Sequence, residues 1–357
     1  MIVPRHKCAV LLAVVIANVA ICMLAFLYTT QHWELEGLAV SNSKHRRPKP
    51  PNLTLTASVP KHYVPTAENG RRLLVIGDIH GMNTELGNLL DLAKYDAATD
   101  HVITLGDMVN KGPDSRGVLS RLMSLNASAV RGNHDDRLLL ALREHGAQAA
   151  SPTGQEDAVL AARKRDKKIL KVAKTLLPEQ ITWLSGLPVI LKSPALRLYF
   201  VHGGLVPGVK LDKQDPWAVM NMRTLRYSQD DELRRRDGHS SAQAEPEDED
   251  EYDDDDDDDE GSEVTPAQKV VAIPIDDHSG QRWDKAWNKY QRKFVKKSHR
   301  RTVMYGHDAK RGFTEGRYTV GLDSGCAAGG HLTGLIVRAR ARGGISYDKI
   351  QVPCKAA

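Results

Sequence analysis

Four cysteines in 357 residues (Cys8, Cys22, Cys326 and Cys354) are too few for a disulfide-built scaffold, and none belongs to a CxxC pair. A cysteine-type zinc module is excluded too, so any metal must be held by His, Asp, Asn or Glu. Internal repeats are absent. With 41% hydrophobic and 27% charged residues the chain is neither a coiled coil, a collagen nor wholly disordered, and its length allows one large domain or two ordinary ones. Acidic charge is scarce outside one stretch. Residues 245–260 hold 14 acidic side chains and no basic one, and with those 14 set aside the formal charge of +5 becomes +19. That bias suits a polyanionic substrate or partner, and equally a solvated basic surface.

Long apolar runs are as rare as cysteine. Only residues 9–28 give 20 positions without a formal charge, about 30 Å as a helix and enough to cross a hydrocarbon core. No small-x-small cleavage site follows, so this run reads as an uncleaved signal anchor. The expected order is a short tail at 1–8, the transmembrane anchor at 9–28, a proline-rich linker at 29–70 and a folded domain at 71–357. A disordered acidic insertion is expected at about 228–268. Basic residues flank the anchor on both sides and leave its orientation open. The sequons at Asn52 and Asn126 would serve only if the folded part faced a lumen or the exterior.

From residue 72 onward, short apolar runs alternate with amphipathic stretches. Strands are expected at 73–76, 102–105, 127–130, 196–201, 302–305, 318–322 and 332–337, and helices at 84–94, 115–125, 136–144 and 155–176. The class is α/β or a mixed sandwich.

The chemistry sits at the strand ends. GDIHG (77–81), GD (106–107), GNHD (132–135), HGG (202–204) and GHD (306–308) each close an expected strand with oxygen or imidazole ligands beside a glycine. Ligand sites in α/β sheets form at the carboxyl ends of strands. Carboxylate, imidazole and amide together suit zinc, manganese or iron better than calcium. Two such ions need a bridging carboxylate, for which Asp107 is the natural choice.

This motif series, with GDMVNKG at 106–112, resembles that of the phosphoprotein phosphatase superfamily of calcineurin-like binuclear metallophosphoesterases. The closing segment 321–330 is similar to that of bacterial symmetrical diadenosine tetraphosphatases. The whole looks like the eukaryotic diadenosine-tetraphosphatase-like branch, which includes the fungal vacuolar zinc-dependent endopolyphosphatase. The resemblance implies a four-layer αββα sandwich and two divalent ions, zinc first, with manganese or iron also compatible. Asp78 and His80 would hold one ion, Asn133, His202 and His307 the other, and Asp107 both. It also implies that His134 protonates the leaving oxygen, and that Lys111, Arg131 and, more loosely, Arg223 bind the transferring phosphoryl group. Two positions depart from the superfamily's GDxVDRG motif: Asn110 replaces the aspartate that orients the histidine of GNH, and Lys111 replaces an arginine, keeping its charge without its bidentate fork.

Basic clusters at 163–174, at 293–301 and at Arg338, Arg340 and Arg342 bear on substrate. A polymer with one charge per repeat would bind them by counterion release, while solubility or anionic lipid near the anchor explains them as well. The sequence thus points to a membrane-anchored phosphoanhydride hydrolase with its catalytic domain in a vacuole or other endomembrane lumen and polyphosphate as first substrate. Dinucleoside polyphosphates, capped RNA (nucleic acid as substrate only) and phosphoprotein are the rival substrates. A tethered polyanion-binding pseudophosphatase is the non-enzymatic alternative, against which all six ligand positions are filled.

Overall fold

The computed structural model describes residues 53–148, 167–227, 272–341 and 343–357. The expected anchor at 9–28 and the body of the acidic insertion lie outside them. Among the described residues no helix is long and apolar enough to cross a membrane. The described residues between 53 and 226 and between 274 and 357 belong to one structural unit.

One sheet runs β1-β5-β6-β10-β12-β11, formed by β1 (Thr56–Ser58), β5 (Ile190–Ser193), β6 (Leu198–Phe200), β10 (Thr302–Tyr305), β11 (Thr314–Gly316) and β12 (Thr319–Gly321). The other runs β13-β14-β2-β3-β4, from β2 (Arg72–Ile76), β3 (Asp100–Thr104), β4 (Ser128–Ala129), β13 (Asp323–Ser324) and β14 (His331–Ala339), with β15 (Ile345–Pro353) also paired to β14. A three-stranded sheet places β7 (Thr224–Tyr227) between β8 (Ala272–Ile275) and β9 (Gln281–Arg282).

Alternation along β2 decides the layers. Leu73 and Val75 enter a core shared with Leu198, Phe200 and Met304 of the other sheet, while Leu74 and Ile76 face helices. Successive side chains leave a strand on opposite faces, and a strand covered on both reads as an unbroken apolar run. The helices on that outer face are α1 (Asn83–Leu92), α2 (Ser115–Ser124), α3 (Asn133–Gln148) and α4 (Pro178–Gly186). They contribute Leu86, Leu89, Leu119, Leu122, Leu138 and Leu184. Asp114 caps α2 by accepting from the Gly117 amide. The short α5 (Pro216–Asn221) precedes β7, and α6 (Trp283–Phe294) packs against β11 and β12, completing helix, sheet, sheet, helix.

Two expectations need correction. The linker does not extend to residue 70: β1 pairs in parallel with β5, and Val59 is buried between the sheets. Polar TAS forms a strand there because the sheet edge supplies backbone partners, which local sequence does not reveal. The helix expected at 155–176 ends at residue 173 within the described part. Neither α6 nor β15 was anticipated.

Cys326 and Cys354, whose pairing the sequence left open, form a disulfide. It ties the turn after β13 to the end of β15 across 28 residues. Replacing both cysteines by alanine is expected to cost about 3 to 4 kcal/mol in the chain-entropy model, read as a lower urea midpoint at unchanged slope.

Candidate metal centre and cleft

The parallel pairs β2–β3, β3–β4, β6–β10 and β10–β12 bring their carboxyl ends to one edge of each sheet. There the turn after β2 supplies Asp78 and His80, that after β3 Asp107 and Lys111, and that after β4 Asn133 and His134. The turns after β6 and β10 supply His202 and His307. The backbone at this edge is strained, with φ of 48° at His80, 50° at Asp107, 75° at Asn110, 66° at Lys111 and 74° at His307. Non-glycine residues hold such conformations at a cost on the order of 1–3 kcal/mol each, and a surrounding fold must enforce them. Gly132 and Gly306 permit the close approach. A Cβ on Gly132 would lie 2.2 Å from Asp107 Oδ1, and one on Gly306 2.1 Å from Asp78 Oδ1.

The other five expected ligands gather around Asp107. Its Oδ1 lies 3.3 Å from His202 Nε2 and its Oδ2 3.5 Å from His80 Nε2. Asn133 Oδ1 lies 2.9 Å from His202 Nε2 and 3.2 Å from His307 Nδ1, and Asp78 accepts from the His307 amide at 3.1 Å. The far nitrogen of each imidazole faces a carbonyl: His80 Nδ1 that of Val109 at 3.2 Å, His202 Nδ1 that of Leu105 at 2.8 Å, and His307 Nε2 that of Asn221 at 2.9 Å. A carbonyl can only accept, so the outer nitrogen of each ring carries a proton and the inner nitrogen is the one turned towards the centre.

This set fits divalent cations. Oxygen and imidazole nitrogen crowd around Asp107, and the Lys111 ammonium donates to His80 Nε2 at 2.7 Å, so a cation already stands against the lone pair His80 would offer a metal. The surrounding cleft, about 340 Å³, is lined by six aspartates (Asp78, Asp107, Asp276, Asp277, Asp308 and Asp323) against Lys111, Arg223 and Lys310. A phosphate could enter so acidic a cleft only with added positive charge.

Burial alone would lower the His202 pKa, but the charges of Asp107 and Asp78 outweigh it and raise it to about 10. The His202 proton must therefore leave before a metal can bind. Metal affinity should rise with pH towards 10, with proton release on binding. Stability of chelator-treated protein should move oppositely. A histidine with a raised folded-state pKa stabilises fully below its unfolded value and loses that contribution as pH rises through about 10. His80, His134 and His307 are lowered chiefly by burial, and their gain with rising pH is complete near the unfolded value. Between about pH 7.5 and 10 thermal midpoints should thus fall in chelator, while metal titrations tighten.

His134 stands beside this group without joining its carbonyl pattern. The Asn110 amide nitrogen lies 3.1 Å from His134 Nδ1, so the pair occurs as expected with an amide in place of the carboxylate. With that nitrogen donating, Nδ1 accepts and the neutral ring carries its proton on Nε2. Arg223 lines the cleft, its guanidinium held by the carbonyls of Asp276 at 2.7 Å and His307 at 3.3 Å. Arg131 does not line it. That residue is 3% exposed, pairs with Asp136 at 3.2 Å and donates to the Ser185 carbonyl, so the phosphate contact expected of it is corrected to a structural one beneath α3.

Two residues were missed. Asp135 is fully buried and accepts from the amides of Met108 and Val109 with Oδ1 and of Gly132 with Oδ2, binding the turn after β3 to the start of α3. Burial, then Asp107, raises its pKa to about 7. Asp323 is buried on the cleft wall, its pKa raised by burial. A second carboxylate after GNH and the Asp of GLDSG were the available signals.

A family model described as calcineurin-like phosphoesterase matches residues 71–311. Among curated proteins, the symmetrical bis(5'-nucleosyl)-tetraphosphatase of Aeromonas salmonicida is 36% identical over 134 residues, 37% of this chain and 44% of that enzyme. The chain thus spans less than half the length of that relative. The enzyme of the same name from Coxiella burnetii strain CbuK_Q154 is 26% identical over 301 residues, covering 80% of this chain and 93% of its own. A solved structure provisionally named a diadenosine tetraphosphatase superposes with a TM-score of 0.56 at 25% identity, over 85% of this chain and 100% of the other.

Proposed function

Because the chain belongs to the calcineurin-like phosphoesterase family, we propose that it is a membrane-anchored, two-metal hydrolase of phosphoanhydride bonds, with inorganic polyphosphate as its first substrate. The observation that carries this reading is the convergence of Asp78, His80, Asn133, His202 and His307 on Asp107 at the floor of a cleft that Lys111 and Arg223 border. Asp78 and His80 would hold one ion, Asn133, His202 and His307 the other, and Asp107 both. Two such ions, when bound, supply Lewis acidity to the phosphoryl oxygens and to the attacking water. Zinc suits this ligand set, as do manganese and iron.

The chain's own groups do the rest. Arg223 and Lys111 neutralise charge on the phosphoryl oxygens and orient the group. As an imidazolium His134 would hand the Nε2 proton to the departing oxygen; as the neutral ring it donates an Nε2–H hydrogen bond to that oxygen without full transfer, which would leave an imidazolate. A carboxylate facing Nδ1 would favour an imidazolium, a far stronger acid than the neutral ring; the Asn110 amide and burial both favour the neutral ring. A weak donor suits a leaving phosphate, which needs little protonation, better than the alkoxide of a phosphoserine. This favours anhydrides over phosphoprotein.

Placement in the lumen of a vacuole or another endomembrane compartment is part of the proposal. The Cys326–Cys354 disulfide supports an oxidising setting, and Asn126 of the second sequon is exposed in a turn after α2. The names of the curated relatives support a second reading, in which dinucleoside polyphosphates are the substrate.

The test is hydrolysis by purified protein loaded with zinc, manganese or iron, with long-chain polyphosphate, diadenosine tetraphosphate, capped RNA and a phosphopeptide as substrates. Polyphosphate is expected to give the highest kcat/KM and the phosphopeptide the lowest. Preference for the phosphopeptide, or no anhydride cleavage with any metal, would refute the reading.

A further inference from the structure

Helix α6 carries positive charge that neither the core nor the cleft uses. Residues 285–301 include eight Lys or Arg and no Asp or Glu. One face of the helix serves the core: Trp283, Ala286, Trp287 and Gln291 are buried, and the Trp287 indole donates to the Arg301 carbonyl. On the other side Lys289, Arg292 and Lys293 are exposed, at the i, i+3, i+4 spacing that places side chains on one helix face. Lys296 and Lys297, also exposed, continue the series beyond the helix. None of these five forms an ion pair among the described residues.

The topology connects this flank to the cleft. Residues 276–278 form one cleft wall, β9 follows at 281–282, and α6 begins at Trp283, whose ring packs edge-on against Tyr305 at the carboxyl end of β10. Twelve helical residues cover about 18 Å. The chain then returns through Arg301 to the start of β10, so the charged face leads from the cleft rim towards the opposite end of that strand.

We infer that the exposed flank of α6 is a docking track for a linear phosphate polymer whose reacting bond lies in the cleft, an inference that rests on the phosphoanhydride reading above. The physical case is charge matched to charge. The cations are mostly lysines, compact point charges that need no planar partner. A bilayer would require an apolar face, and that face of α6 is already spent on the core. A nucleic acid would use several stacking rings, whereas Phe294, 59% exposed, is the one large apolar side chain open on this flank. Bare, closely spaced phosphates ask only for the row of cations. A four-phosphate substrate confined to the cleft would leave the row unused.

The experiment combines Lys289→Ala, Arg292→Ala, Lys293→Ala and Lys296→Ala. Binding of long-chain polyphosphate is measured on an Asp107→Asn background, so that turnover plays no part. Affinity is expected to fall roughly tenfold or more at low salt, and the slope of log K against log salt to become shallower by about 3, as for four lost phosphate contacts on a single strand. On the active background, KM for long chains should rise at unchanged kcat, while kcat/KM for diadenosine tetraphosphate stays constant. Arginine at the same four positions should retain binding. The track is refuted by unchanged affinity, or by an equal loss when Lys61, Lys94, Arg116 and Arg143 are replaced instead. Selective loss of single-stranded RNA or anionic vesicle binding with polyphosphate binding intact would also refute it. A chain that bound polyphosphate through α6 yet cleaved no anhydride would overturn the functional reading and leave the track standing.

Discussion

Asp107→Asn should lower turnover by about 10³-fold or more and leave the protein unable to retain two metals per chain. The carboxylate is 2% exposed, and its two oxygens face His202 and His80 separately. His202, His134 and His80 together outweigh the effect of burial and hold its pKa well below the usual carboxylate range, so it is a committed anion. An amide keeps the shape and loses the charge. Several kcal/mol of electrostatic stabilisation are at stake, and about 1.4 kcal/mol is a factor of ten in rate. Replacing His307 should cost one ion only. The effect must come from charge, because Asp107 Oδ1 also accepts the His134 amide at 2.8 Å and an asparagine oxygen can still do so. Near-normal turnover with two bound metals in Asp107→Asn would refute the bridging role, and elemental analysis beside steady-state kinetics reads both quantities.

The second large effect belongs to His134. Its Nδ1 is taken by Asn110, its ring stands edge-on to His80 with centroids 4.8 Å apart, and it also forms with His80 and Asp107 a cluster that could hold a metal, so its role as acid is separable from a ligand's only by metal content. His134→Asn should reduce turnover by about 10²- to 10⁴-fold with metal content intact. An alkyl monoester should lose more than either p-nitrophenyl phosphate or polyphosphate, whose leaving groups are far less basic than an alkoxide. Equal losses across the series would show that His134 acts by positioning. Lost metal would place it among the ligands.

The sequence exposed the fold at apolar runs buried on both faces such as Leu73 to Ile76 and β10, whose expected and observed bounds coincide, though it passed over the equally buried run of β5. It hid β1, a polar triplet that is a strand only because β5 offers an edge, and α6, where three buried apolar side chains sit among lysines and arginines. The candidate ligands were legible because each follows a strand and stands beside a glycine, a chemical pattern that survives without knowledge of packing. Arg131 was misread for the complementary reason. It precedes the Gly-Asn turn in sequence, yet its side chain is drawn under α3 by Asp136, a partner visible only in three dimensions. Asp135 was overlooked because its work is done on backbone amides 26 and 27 residues away.

The most direct measurement is anomalous diffraction from crystals grown with the loading metal. Two peaks are expected at the carboxyl edge of the sheets, one beside Asp78 and His80, one beside Asn133, His202 and His307, with Asp107 touching both. A single peak, or two peaks that do not share Asp107, would contradict the binuclear centre on which the proposed chemistry depends.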